Sequence, residues 1–306
     1  MSLGLKIFHK TPYPAIDPKQ PKLSQSGKTV LVTGGNGGIG LAIARNFITA
    51  GARRVIIVGR GRGKVELAAS RLMAEGQAIE SSTIVDGRIC DTSDIDATAA
   101  LWDGLEGEGI VVDVVVMNAA SFGDAKSLLE AGRDRVWQSY ITNVQSHLDF
   151  AERLYKQKRQ GAPGRKYLIN ISTAAIYMWT GVTPQIPSYG LTKNSGTALM
   201  QQIAKDVRPD ELQIVSIHPG SVLSDTARAA GLDESSLAWD DENLAGQTVV
   251  WASTPEAEFL HGRFVFANWD IEEIMTGSFR MRLTNDLNFL KVGVNGLSES
   301  TTSLQV

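Results

Sequence analysis

One cysteine, Cys90, is all that the chain has, so no internal disulfide can form and a reducing compartment, the cytosol, is expected. Histidine is nearly as scarce. His9, His147, His218 and His261 are too scattered for a zinc site, and no metal-dependent chemistry is expected. Nor is there an excess of positive charge: 30 Lys and Arg stand against 33 Asp and Glu, for a net charge of -3 and a pI near 5.9. That balance gives no electrostatic footprint for nucleic acid. No run of about 18 apolar residues is available to cross a bilayer. Residues 1–20 lack the basic-then-apolar pattern of a secretory signal. Neither a nucleic-acid nor a membrane partner is expected.

What the chain does have is a globular composition, with 43% of its 306 residues hydrophobic and 21% charged, enough apolar material for one large core. From Lys28 onward, short β-branched runs alternate with helical patterns. Residues 29–33, 54–58, 83–86, 111–117, 166–172, 213–218 and 263–267 read as buried strands. Helices are expected to begin near Gly38, Lys64, Ser93, Arg133, Ser188 and Asp240. The pattern predicts a single α/β domain over 27–295, a Rossmann-type doubly wound fold with a mostly parallel seven-stranded sheet. No internal repeat or linker divides it. Residues 1–26 form a lead in which 11–21 carry four prolines, an extended arm either loose or packed on the domain or a neighbouring subunit. The Ser/Thr-rich tail, 296–306, is expected to fray.

Between the first strand and the first helix lies Thr33-Gly-Gly-Asn-Gly-Gly-Ile-Gly40. A glycine turn entering a helix gathers bare backbone N–H groups at the positive end of a helix dipole, which suits a pyrophosphate. Two registers fit, Gly35-x-Gly37-x-x-Gly40 and Gly34-x-x-x-Gly38-x-Gly40, and the glycines alone leave both open. At the end of the next strand an acid would bind the ribose 2′-hydroxyl of NAD. The chain has instead Val58-Gly59-Arg60-Gly61-Arg62. Gly59 leaves room and adds no negative charge, and Arg60 can fork onto a 2′-phosphate, so NADP(H) is the expected cofactor.

Of the six tyrosines, Tyr189 alone has a lysine four residues on, Lys193, and it follows the strand ending Ile169-Asn-Ile-Ser-Thr173. On a helix the two share a face one turn apart, so Lys193 can lower a tyrosine pKa that is ordinarily about 10. The pair suits delivery of a proton to a carbonyl oxygen as hydride reaches its carbon. Tyr155 has Arg159 at the same spacing but lies in a charged helix and reads as surface.

In this order, over residues 27–268, the motifs resemble those of the short-chain dehydrogenase/reductase family. The resemblance implies that Asp91 contacts the adenine, that Asn118 belongs to the segment after the fourth strand, and that Asn143 supports a proton-relay water. Pro219-Gly220-Ser221-Val222-Leu223-Ser224 matches the loop that touches the nicotinamide carboxamide. The implied cofactor contacts are Gly34, Asn36, Gly38, Ile39, Gly40, Arg60, Asp91, Asn118, Tyr189, Lys193, Val222 and Ser224. The implied catalytic set is Tyr189, Lys193, Asn143 and a hydroxyl from Thr173 or Ser172, with Thr173 favoured by alignment to the preceding strand. The chain departs from the family's usual residues in three places: Met117-Asn118-Ala119-Ala120 replaces Asn-Asn-Ala-Gly, Ser172-Thr173 replaces Ser-Ser, and Ser224 stands where threonine is more common.

An apolar, aromatic segment at 176–187 is longer than the family's and would wall a pocket for a hydrophobic small molecule, while 224–241 reads as a substrate lid. The expectation is an NADP(H)-dependent oxidoreductase that reduces a ketone or oxidises the matching secondary alcohol. The arm and Gly262-Arg-Phe-Val-Phe-Ala-Asn-Trp269 resemble fungal reductases of secondary metabolism. A non-redox lyase, isomerase or cyclase on the same fold and an NADP(H)-sensing regulator stay open as rivals, although Tyr189 and Lys193 argue against the sensor. Family members commonly assemble through the helices at 133–158 and 188–207, which implies a homodimer or homotetramer.

Overall fold

Along each central strand, neighbouring side chains enter opposite apolar layers, which is why the runs are apolar throughout rather than at every second position. In β1 (Thr29–Thr33), Val30 and Val32 join one cluster and Leu31 the other. In β2 (Arg54–Gly59), Val55 and Ile57 oppose Ile56 and Val58 in the same way. The computed structural model describes residues 3–158, 164–181, 186–224, 227–228 and 231–294. The tail at 296–306 lies outside them, as do 182–185 of the wall segment and 225–226 and 229–230 of the lid. The other strands are β3 (Ile84–Ile89), β4 (Val114–Met117), β5 (Lys166–Ile171), β6 (Leu212–His218) and β7 (Arg263–Phe266). All seven are parallel, ordered β3-β2-β1-β4-β5-β6-β7. The order reverses between β1 and β4, and a crevice for ligands forms beyond the carboxyl ends of strands at such a switch point. The expected doubly wound single domain is present, with a wholly parallel sheet.

The first helices are α1 (Gly38–Thr49), α2 (Arg62–Ala78), α3 (Ile95–Gly107), α4 (Leu128–Ala131) and α5 (Arg133–Tyr140). After them come α6 (Ser146–Lys156), α7 (Pro187–Asp206), α8 (Glu242–Ala252), α9 (Ile271–Met275) and α10 (Gly277–Asn285). β4 starts later than its apolar run because the Val112 N–H is taken by the Gln157 side chain, 2.9 Å away, and leaves the ladder. The helix foreseen at 133–158 is interrupted by a π turn, Ile141–Gln145, with Asn143 buried at its centre. Such widened turns gather at functional sites.

The proline-rich lead is not loose. Prolines open two 3₁₀ turns, Pro14–Ile16 and Pro21–Leu23, and each turn drives one side chain, Ile16 and Leu23, fully into the core. Further along, the Tyr13 hydroxyl accepts from the Ile271 N–H at 2.9 Å, His9 Nε2 pairs with Asp270 at 2.8 Å, and Phe8 bridges Trp269 in antiparallel sense. Truncating a fully buried leucine removes contacts that nothing refills, so Leu23→Ala is expected to destabilise the protein by about 2–5 kcal/mol. A urea midpoint equal to that of wild type would show that the arm lies outside the cooperative unit.

Candidate active site

Backbone geometry separates the two glycine registers. Gly34 and Gly38 have φ of +65° and +47°, values that suit glycine. A Cβ on Gly40 would overlap the Gly34 carbonyl and lie 2.6 Å from Asn118 Nδ2. The turn therefore demands glycine at 34, 38 and 40, and also at 35, where a Cβ would stand 2.8 Å from Ile57 Cγ2, so the two registers differ only at Gly37. Gly37 is different. Its backbone is extended, a Cβ would meet nothing within 4 Å, and as N-cap of α1 it has no side chain capping the helix amides. Open space in front of uncapped helix amides is what a pyrophosphate requires, so the residues present fit a dinucleotide.

Around this turn the implied contacts divide. The Asn118 amide donates to the Thr33 carbonyl at 3.0 Å and the Gly34 carbonyl at 3.3 Å, and Thr33 Oγ1 accepts from the N–H groups of Asn118 and Ala119. Asn118 thus ties β1 to β4 beneath the turn. Gly59 was read as room for a phosphate, but a Cβ there would overlap the Asn36 side chain, so the space over Gly59 belongs to Asn36. Arg60 is open, with a side chain 77% exposed and 3.8 Å from Asp91, whose other oxygen accepts from Ser93. Ile39 is half-buried in the first turn of α1. Ser224 closes the ring: its Cβ lies 3.3 Å from where a Gly38 Cβ would stand, and its N–H bonds the Val222 carbonyl at 2.8 Å.

Sequence reasoning missed what holds that last loop. Asp240 accepts from the Ser221 N–H at 2.7 Å, and Gly220, at φ +92°, leaves space for its carboxylate. Lys10 of the arm sits 3.7 Å from Asp240, and its carbonyl accepts from the Asp241 N–H at 2.8 Å. The arm therefore reaches the nearer end of the site.

Apart from Asn143, the residues implied as catalytic lie just beyond the end of β5 and in the first turns of α7. Pro187 opens α7 with its φ preset for a helix, and Tyr189 and Lys193 follow on one face, both buried. The Thr173 side chain lies near enough to the Tyr189 phenol to favour its charged form, while its Oγ1 accepts from the Ala175 N–H at 3.2 Å. Ser172 faces away, its Oγ 2.6 Å from Thr197 Oγ1. Of the two candidate hydroxyls, only that of Thr173 approaches the tyrosine. Burial pushes the Tyr189 phenol up to about 12, Thr173 opposing it, and pushes the Lys193 ammonium down to about 8. The drop expected for Tyr189 from Lys193 is absent: burial raises the phenol, only Thr173 opposes it, and the Lys193 ammonium donates instead to the Ile171 carbonyl.

Asn143 is held rather than free. Its amide donates to the Ser121 carbonyl and to Thr192 Oγ1, and its Oδ1 accepts from the Ser121 N–H, each at 2.8 Å. Its own carbonyl faces Gly196 of α7, where a Cβ would stand 2.6 Å away. The π turn and Gly196 together let the two helices close.

The wall segment divides too. Tyr177 leans on Phe264 and Phe266 of β7, with centroids 6.5 and 6.3 Å away, while Trp179 is largely exposed. In the lid, Trp239 Nε1 donates to the Asp233 carbonyl at 2.7 Å and Arg228 pairs with Glu234 at 2.8 Å. Among the described residues no helix is long and apolar enough to cross a membrane.

Comparison with known proteins agrees with this geometry. The chain is 34% identical over 272 residues to a short chain dehydrogenase/reductase of Claviceps purpurea, covering 88% of this chain and 87% of the relative. A short chain dehydrogenase/reductase of Aspergillus novofumigatus is 31% identical over 293 residues, covering 94% and 96%. Among solved structures, the RhlG/NADP active-site complex of Pseudomonas aeruginosa superposes with a TM-score of 0.71 at 24% identity, over 81% of this chain and 97% of that one, a likeness of fold. The description short chain dehydrogenase matches residues 28–235, and with fungal relatives matching nearly end to end, the chain belongs to the short-chain dehydrogenase/reductase family of oxidoreductases.

Proposed function

We propose that the protein is an NADP(H)-dependent reductase of ketones on hydrophobic small molecules, or the dehydrogenase of the matching secondary alcohols. The observation that carries this reading is the nearness of the Thr173 side chain to the Tyr189 phenol above the end of β5, across the switch point from the uncapped amides of α1. When bound, the dinucleotide supplies or accepts the hydride.

The chain's own groups do the rest. Tyr189, kept protonated at neutral pH by burial, donates its proton to the forming alkoxide, and Thr173 donates a hydrogen bond that orients the carbonyl oxygen. Ser172 supports from behind through Thr197. Lys193, a cation below its lowered pKa of about 8, places positive charge under the site, and Asn143 fixes the loop and helix that frame it and supports proton resupply. Gly34, Gly38, Ile39 and Gly40 form the phosphate turn, with Asn36, Asp91 and Asn118 shaping its flanks and Val222 and Ser224 lining the nicotinamide end.

Arg60 is the group available for a 2′-phosphate, and a charge-assisted hydrogen bond is worth about 1.5–3 kcal/mol before solvent screening. Because Arg60 is mostly exposed, Arg60→Ala is expected to weaken NADPH binding by about tenfold and leave NADH binding unchanged, read by nucleotide fluorescence titration. Equal loss for both nucleotides would remove the phosphate role. A carbonyl panel scored for NADPH consumption tests the reductase reading itself. Tight NADPH binding without consumption on any carbonyl would instead favour a non-redox or sensing protein.

The fungal relatives support a role in secondary metabolism, and the lone buried cysteine supports the cytosol. Exposed Trp137, Leu148 and Tyr155 on α5 and α6 support assembly through those helices and α7 as a homodimer or homotetramer.

A further inference from the structure

Phe122 was not singled out by any motif, yet its ring lies parallel to that of Tyr189, with centroids 4.5 Å apart and planes inclined by 10°. Tyr189 is 8% exposed and Phe122 43%, so one face of Phe122 covers the phenol ring while the remainder is open. The loop carrying it is anchored on both sides. The preceding residue, Ser121, is gripped through both its N–H and its carbonyl by the Asn143 amide. The following residue, Gly123, at φ +68°, sits so close to α7 that a Cβ would come within 3.2 Å of Ser188 Cβ. A ring between two fixed backbone positions has already lost its freedom, and contact with it entails little further ordering.

Because Phe122 stacks directly on the ring whose hydroxyl would receive the carbonyl oxygen and itself stays 43% exposed, a substituent on that carbonyl has the open part of Phe122 within reach. We infer that Phe122 is a specificity-determining residue, a fixed aromatic face that selects carbonyl compounds bearing a flat ring directly beside the carbonyl. The inference rests on the reductase reading and deepens it by naming the substrate class. An aliphatic chain at this place gains only from burial. A flat ring gains in addition the stacking or edge contact of an aromatic pair, about 0.5–1.5 kcal/mol.

The test uses two ketones, 2-acetylnaphthalene and 2-octanone, with the full chain, the ring-removing Phe122→Leu and the ring-retaining Phe122→Tyr. Equilibrium dissociation constants in the presence of NADP+ and KM with NADPH are both measured. Phe122→Leu is expected to raise the dissociation constant and KM for 2-acetylnaphthalene by about two- to twelvefold and to leave those for 2-octanone unchanged within error. Phe122→Tyr is expected to stay within about twofold of wild type on both. Equal losses on the two ketones would make Phe122 a mere prop for Tyr189 and overturn the inference, as would no loss on either or a wild type that does not prefer the naphthyl compound. Ring-dependent binding without NADPH consumption would sink the reductase reading while upholding Phe122 as the selecting face.

Discussion

Tyr189→Phe is expected to lower kcat/KM for carbonyl reduction by about 10²–10⁴, the range that a positioned proton donor contributes. The substitution keeps the ring that stacks on Phe122 and removes only the hydroxyl beside Thr173, so folding and nucleotide binding should persist. Losing one oxygen at a buried position removes at most a single hydrogen bond, worth about 1 kcal/mol in stability. A thousandfold loss in rate with an unchanged nucleotide dissociation constant would therefore be a chemical effect and not a structural one. Full reductase activity in Tyr189→Phe would take Tyr189 out of the mechanism and return the site to the non-redox readings.

A contrast between two neighbouring glycines has the next largest expected effect. In Gly40→Ala the new methyl group runs into the Gly34 carbonyl, a backbone atom that cannot swing aside, so both stability and nucleotide binding should fall. Overpacking of this kind costs about 1–3 kcal/mol or more. Gly37→Ala adds the same methyl where nothing stands within 4 Å and where φ is already extended at -175°. Its thermal midpoint should match wild type while its affinity for NADPH drops by about tenfold or more, because the methyl enters the space before the α1 amides. Calorimetry and fluorescence titration separate the two quantities. Unchanged affinity in Gly37→Ala would place the pyrophosphate elsewhere.

The parallel sheet was legible because its central runs are apolar on both faces, a pattern that few other folds produce. Val30, Leu31 and Val32 need no partner to announce a doubly covered strand. The run at 83–86, expected to be buried, belongs instead to the edge strand β3, which leaves Ile84 and Ile89 exposed. The glycine turn and the Tyr189–Lys193 pair were legible for a related reason: φ above zero and helical spacing are local constraints. Contacts over long sequence distances were not legible. Nothing near Asp240 says that it holds the Ser221 N–H, and nothing near Asn143 says that its amide is already committed to Ser121 and Thr192. Phe122 escaped notice because an aromatic residue in a loop has no period, and only the fold brings it over Tyr189. The direction of the Tyr189 shift was misjudged for the same reason, since desolvation depends on what surrounds the group and not on its i+4 neighbour.

The arm has a consequence for the order in which the molecule is made. Lys6 and Ile7 donate to Glu273, His9 to the Asn268 carbonyl, and Leu23 enters a cluster that includes Phe279 and Phe289. A segment near the start of the chain thus waits, during synthesis, for partners that emerge 259 to 267 residues later. Pairings this distant in sequence form slowly, and apolar groups left uncovered meanwhile invite misassociation. Lys10 also pairs with Asp240, so the loop after β6 takes its final place only when the arm has docked.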